Sequence, residues 1–431
     1  MLSETQNYLK EKFGISDHII EFIEECESEL SAKFKKIDEI GEYNQYKVLN
    51  AFQENRINDS HFAWNTGYGY NDMGRDATEN VFSNIFGTED ALVRTQIVNG
   101  THALSVTFAG LLRPGDEMIY CSGNPYDSLW KVIGLSGSGM GSLKEFGIDY
   151  NQVDLTDEGD MDYDALKEAI NKKTKMVCLQ RATGYSWRPA LTIEKIKKWV
   201  EFVKSINPEI ICMVDNCYGE FLDTKEPTNV GVDIMAGSLI KNPGGGLALS
   251  GGYAAGKADL IEKISYRLTC PGIGGECGLT FGQTRTMLQG MFYAPRTVAG
   301  AVKGAVLCSS VFDKLGFGVC PEPDSERSDI VQAVKLESPE AVNLFCEAIQ
   351  SAAAIDSYVT PVPGEMAGYD HDVIMASGSF VQGSTMELSA DSPVREPYIV
   401  YFQGGISYEH SKFGVMSAVK KLSQKGYINL I

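Results

Sequence analysis

The chain has 431 residues but only five histidines, and no pair has the His-x-x-x-His spacing of a helical zinc site. Ten cysteines occur without one Cys-x-x-Cys, so neither a zinc ribbon nor a dithiol redox pair is encoded. Cys121, Cys178 and Cys212 end or interrupt apolar runs and read as buried free thiols in a reducing compartment. Positive charge is scarce. Thirty-eight Lys and Arg face 57 Asp and Glu, and the net charge of −19 repels nucleic acid and anionic lipid. No apolar run approaches the roughly 18 residues of a membrane span. The polar opening "MLSETQNYLKEKFG" has no signal core. No Gly-x-x-x-x-Gly-Lys-Ser/Thr is present, so a nucleotide P-loop does not fit. A cytoplasmic protein is expected, without nucleic acid, membrane or bound metal.

What remains is a globular composition, 43% hydrophobic and 22% charged, with 44 glycines that imply many tight turns. Residues 1–60 read as an N-terminal helical arm, of the kind that often packs on a neighbour. Ser16 or Asp17 caps "HIIEFIEECESELSAKF", and "YNQYKVLNAFQEN" follows. From residue 91 the pattern changes to short apolar strands alternating with helices. "ALVRTQIV", "EMIYC", "KMVCLQ", "EIICMVD" and "VDIMAGS" are the strands; "NGTHALSVTFAGLL", "PYDSLWKVIGLSG" and "TIEKIKKWVEFVKSI" are the helices. That alternation predicts an α/β fold with a mostly parallel central sheet covered on both faces, over about 61–300. A helix "APRTVAGAVKGAVLCSSVFDKLG" and alternating runs such as "PYIVYFQGG" predict a smaller α+β domain over 301–431.

Ligands of open α/β sheets bind beyond the carboxyl ends of the strands. Three features fall there. Asn99, Gly100, Thr101 and His102 open a helix after the first strand, where free N–H groups and the helix dipole favour an anion. Asp215 ends the buried run "IICMV" and needs a partner. Lys241 follows Ser238 by three residues and precedes Pro243 and a run of glycines. Each alone has a plainer reading: a helix cap, a turn cap, a surface lysine. Together they match what pyridoxal 5′-phosphate (PLP) requires. Lys241 would hold the aldehyde as a Schiff base, its pKa open to lowering by burial or nearby positive charge. Asp215 would pair with the ring nitrogen. The glycine-led helix and Ser238 would bind the phosphate, and Tyr126 in "SGNPYDSLW" would cover the ring.

Here the sequence resembles the fold-type I PLP enzymes of cysteine and methionine metabolism. "VDNCYGEF" is similar to that group's strand-end segment, "DIMAGSLIK" to its lysine segment, and "NGTHALS" occupies the place of its phosphate loop. "QRATGYSWRPALTI", "CPGIGGECG", "LQGMFYAPRTVAGAVKGA" and "ELSADSPVREPYIVYFQGGISYEH" resemble the methionine gamma-lyase-like, or aluminium-resistance, branch from about residue 45 onward. The resemblance implies an aspartate-aminotransferase-like fold, a homodimer or homotetramer with active sites at the subunit interface, and carbon–sulfur lyase activity on an amino acid. Other PLP reactions (aldolase, decarboxylase, aminotransferase), or a non-catalytic protein linked to metal tolerance, are the alternatives. It assigns Lys241, Asp215 and Tyr126 to catalysis, and Gly100, Thr101 and Ser238 to the cofactor, with Asn99 in the same turn. His102 falls where the group usually has a small or apolar residue, and either makes a helix-start hydrogen bond or faces the cofactor. Tyr68 and Tyr70 in "TGYGYNDMGRD" correspond to a segment that reaches a neighbouring subunit's phosphate. The group's arginine is missing at that spacing, so either Arg75 substitutes or the contact is lost. Arg181 and Ser186 are candidates for the cofactor's 3′-oxygen. Arg395 is implied as receptor of the substrate carboxylate, with Arg113, Arg285 and Arg296 as rivals.

Overall fold

The computed structural model describes residues 3–430. Three helices come first: α1 (Glu4–Phe13), α2 (Asp17–Glu29) and α3 (Ser31–Glu54). Ser16 caps α2, accepting from the Ile19 N–H, and turns Ile19, Ile20 and Ile23 into the core. The arm packs on its own chain, α3 along the long helix α10 (Thr284–Lys314) and α2 against α10 and α12 (Tyr408–Gln424).

Between α3 and α10 in chain order comes the main sheet. Its strands are β1 (Asp90–Arg94), β2 (Glu117–Tyr120), β3 (Asp149–Gln152), β4 (Thr174–Gln180), β5 (Ile211–Asp215), β6 (Ile234–Ser238) and β7 (Gly252–Gly256). They lie in the order β1-β7-β6-β5-β4-β2-β3, and β7 alone runs antiparallel to its neighbours. The strand residues sort by parity. Ile211 and Met213 face one core with Met176, Cys178 and Ile234, while Cys212 and Val214 face the other with Val177, Leu179 and Met235. Helix α4 (Met73–Phe86) leads into β1, helices α5 (Gly100–Leu111), the single turn α6 (Trp130–Ile133), α7 (Tyr163–Ala169) and α8 (Ile193–Ile206) connect successive strands, and α9 (Ala258–Leu268) follows β7. Thr192 caps α8 through its bond from the Lys195 N–H.

Beyond α10 an antiparallel sheet follows in the order β10-β11-β12-β9-β8. Its strands are β8 (Gly318–Cys320), β9 (Gln332–Lys335), β10 (Val373–Ser377), β11 (Ser389–Pro393) and β12 (Ile399–Gln403), with α11 (Pro339–Ala352) and α12 packed beside it. The architecture is the expected one: a mostly parallel sheet sandwiched by helices, then a smaller α+β unit.

Three expectations differ in detail. Residue 300 falls inside α10, which starts ten residues before the helix expected at 294 and carries Pro295 within it. The "PYDSLWKVIGLSG" helix is a 3-10 turn, Asp127–Leu129, and one α turn stopped by Gly134 at φ +94°. β7 was not expected, because "GYAAG" lacks the β-branched residues that mark strands.

Candidate active site

The carboxyl ends of the parallel strands converge on a cavity of about 260 Å³. Seven residues singled out from the sequence line it: Asn99, Gly100, Thr101, Tyr126, Asp215, Ser238 and Lys241.

The cradle is local in origin. Asn99 Oδ1 accepts from the His102 N–H at 2.8 Å, which fixes the start of α5 and leaves the Gly100 and Thr101 N–H groups outside the intrahelical ladder. A Cβ at Gly100 would lie 3.3 Å from both Cys217 Sγ and Ser238 Cβ, so a side chain there would crowd this corner. Thr101 Oγ1 meets Ser128 Oγ at 2.6 Å, bringing a second hydroxyl to the rim.

Asp215 ends β5 in register with Gln180 at the end of β4. Its carboxylate is buried and accepts from the Cys217 N–H at 3.1 Å. Burial pushes its pKa above the ordinary aspartate value, and the Lys241 ammonium opposes that push. Lys241 Nζ lies 4.0 Å from the centroid of the Tyr218 ring, a cation–π contact. The sequence suggested a lysine whose pKa could be lowered. Burial does act downward, but Cys217, Tyr218 and Asp215 around the amine outweigh it and hold Lys241 above its usual value. The backbone there is pinned, since Asn242 Nδ2 donates to the Glu220 carbonyl at 2.9 Å and Leu239 N–H to the Gly251 carbonyl at 3.0 Å.

Several contributors escaped the sequence reading. Tyr218 lies three residues after Asp215, and a φ of +70° turns its ring under the lysine. Tyr369 enters from the C-terminal unit and donates its hydroxyl to Tyr126 Oη at 2.8 Å. Gln180 lines the cavity, and its Oε1 is buried without a partner. Asp391 sits opposite Tyr401 in the β11–β12 ladder. Tyr401 packs in the apolar layer with Tyr185 and Tyr218, so Asp391 faces the large domain, and burial lifts its pKa to about 7. Tyr218 carried a signal in its nearness to Asp215; Tyr369 and Asp391 carried none, being brought in from more than 150 residues away.

Other expected residues lie outside this cavity. The His102 ring turns back on the loop, its Nδ1 accepting from the Val98 N–H at 3.1 Å, because the ring belongs to the helix start rather than to the pocket. Tyr68 and Tyr70 are 75% and 55% exposed, with ring centroids 5.6 Å apart. Arg75 is buried and bonds the carbonyls of Gly69, Glu276 and Gly278, holding the 67–71 turn to the 270–279 loop. Arg181 is committed to Ser328, Asn216 and the Gly219 carbonyl, and Ser186 to a turn with Thr183, so neither lines the cavity and Gln180 takes that place. Arg395 Nη1 lies 3.7 Å from Asp127 Oδ2, beside Tyr126. Of its rivals, Arg113 caps the end of α5, Arg285 lies over Phe62, and Arg296 pairs with Asp38.

These residues fit PLP. The α5 start with Thr101 and Ser238 suits a phosphate, Asp215 a protonated ring nitrogen, Tyr126 an aromatic face and Lys241 an aldehyde. The orphaned Gln180 Oε1 is a buried acceptor left for a ligand.

Comparison with known proteins agrees. The chain is 50% identical over 405 residues to protein YnbB of Bacillus subtilis, covering 94% of this chain and 96% of that one. A solved structure of the Clostridium novyi carbon–sulfur lyase involved in aluminium resistance superposes with a TM-score of 0.93 at 50% identity, over 98% of this chain and 100% of that one. The PLP-dependent protein YhfS of Escherichia coli shares the fold at 17% identity, with a TM-score of 0.61 over 90% of this chain and 97% of that one. Residues 19–423 match the methionine gamma-lyase family, a PLP-dependent family, and the chain belongs to it.

Proposed function

We propose that this protein is a PLP-dependent carbon–sulfur lyase acting on a sulfur-containing amino acid. One observation carries the reading: the buried Lys241 amine lies against Tyr218 in a cavity it shares with Asp215 and the start of α5. The name of the Clostridium novyi relative, a carbon–sulfur lyase, supports the reaction class.

When bound, PLP supplies an electrophilic aldehyde and a ring that accepts the electron pair left at Cα. Lys241 is the residue to attach it. The α5 N–H groups, with the Thr101 and Ser238 hydroxyls, would hold the phosphate, and Asp215 would keep the ring nitrogen protonated. Tyr126 and Tyr369, joined by their hydroxyl bond, close one side of the cavity and exclude water. Arg395 receives the substrate carboxylate. Once the substrate amine has displaced it, the free Lys241 amine takes the Cα proton, the carbon–sulfur bond breaks with both electrons leaving on sulfur, and the Lys241 ammonium returns that proton to sulfur to complete the released thiol.

Lys241→Ala should abolish turnover. It should also abolish the cofactor-sized mass increase that borohydride fixes on the native chain. Steady-state lyase activity in that variant would refute the scheme. We also infer a homo-oligomer in which Tyr68 and Tyr70 of one chain complete the site of the next. Their exposure outside the cavity of their own chain supports this.

A further inference from the structure

Asp127 directly follows Tyr126 and precedes Ser128, two residues of the cavity wall, so its backbone is fixed at the rim. Its side chain is only 9% exposed. One oxygen, Oδ2, is 3.2 Å from His371 Nε2 and 3.7 Å from Arg395 Nη1. Neither approach is an aligned hydrogen bond, and both Oδ2 and His371 Nε2 are buried without a partner of good geometry. A buried carboxylate left in this condition calls for an explanation. The contact also joins two spaces: Tyr126 lines the main cavity, His371 lines a neighbouring one of about 490 Å³, and the two share Ala367 and Tyr369.

We propose that Asp127 is an internal occupant of the substrate-carboxylate site: it holds Arg395 beside the cavity until the carboxylate of an incoming amino acid displaces it, and it then keeps His371 as its partner. The proposal rests on the reading of Arg395 as carboxylate receptor. The exchange is favourable in direction. Asp127 meets the guanidinium through one nitrogen at 3.7 Å, whereas a free carboxylate can take its two-pronged edge. Arg395 is 44% exposed on its side chain, so an incoming anion can reach it. His371 gives the exchange its second state. Without it, displacement would strand a buried charge, which is strongly unfavourable. A small turn of the ring would let His371 Nε2 donate to Asp127 once Arg395 has left. The site therefore selects α-amino acids with a free carboxylate over amines and carboxamides. It makes Asp127 a positioning residue that competes with the substrate.

The test uses the PLP-loaded full chain and L-alanine, an amino acid with no leaving group, titrated by the change in cofactor absorbance. Asp127→Asn should tighten alanine by about twofold to fivefold, the range of a partly exposed ion pair removed from competition. It should leave ethylamine, which lacks the carboxylate, unchanged. Asp127→Ser should shift affinity in the same direction, which guards against a fault peculiar to one variant. Unchanged or weaker alanine binding in both variants, with Arg395→Ala weakening it, would overturn the proposal and leave Arg395 as receptor. Equal tightening of alanine and ethylamine would overturn it too. Alanine binding untouched by Arg395→Ala would instead remove the reading of Arg395 and the proposal with it.

Discussion

Tyr218 holds a φ of +70°, a conformation uncommon for an aromatic residue, and its ring lies 4.0 Å from the Lys241 amine. Strain of this kind persists where the surroundings over-determine it, and here Asp215 and Lys241 bracket the residue. Asp215 has the clearest single role. Asp215→Asn retains the shape but loses the charge, so kcat should fall by at least about 100-fold in steady-state assays. Glu220, one layer deeper, accepts from Tyr253 Oη at 2.6 Å, and burial raises it from 4.5 to about 8. Between those values the folded state binds more protons than the unfolded chain, so this group makes stability fall as pH rises through the window. Glu220→Gln should therefore gain melting temperature relative to the native sequence as pH is raised from about 5 to 8, as calorimetry can read. A constant difference across that range would exclude Glu220 as the source.

At the scale of elements, the glycines after Pro243 acquire a definite purpose. They make room for a passing chain. The passing chain is α10. A Cβ on Gly290 would lie 2.1 Å from the Gly244 carbonyl oxygen, and one on Gly245 2.3 Å from the Gly290 carbonyl oxygen. This close approach seats the segment that carries Lys241. Gly290→Ala should destabilise the fold by about 1–3 kcal/mol and loosen cofactor retention together, read by denaturant midpoint and by PLP loss on dialysis. Stability lost with retention intact would separate α10 from the lysine loop. The elements themselves were legible wherever periodicity was strong, as in β4, β5, β6 and α8. β7 and the early start of α10 were not. Glycine-rich strands lack a propensity signal, and Pro295 looks like a helix start until tertiary packing shows the helix continuing through it.

The whole molecule places Tyr68 and Tyr70 at the surface, on a turn clamped by Arg75 to the 270–279 loop. If these tyrosines serve a neighbouring chain, two inactive variants can repair each other. Lys241→Ala mixed with a Tyr68→Ala/Tyr70→Ala double variant, unfolded and refolded together, should regain partial lyase activity that neither shows alone. Light scattering should give a mass that is a multiple of the single chain. A monomer, or no repair on mixing, would return the two tyrosines to the role of loop residues.

Much of the site was written in local sequence. A carboxylate ending a buried strand, a capped helix start after another strand, and a lysine after a third each announce themselves. The parallel sheet then brings strand ends together as a matter of topology. Sequence alone therefore determined the fold class and the Asp215, Lys241 and Asn99–Thr101 constellation. Tertiary structure alone decided the rest. His102 spends its ring on Val98, Arg181 spends its guanidinium on the Gly219 turn, and Gln180 holds the place beside Asp215. Tyr369 and His371 come to the rim from the C-terminal unit. Their side chains are directed by contacts between distant segments, and such contacts leave no period and no spacing in the chain.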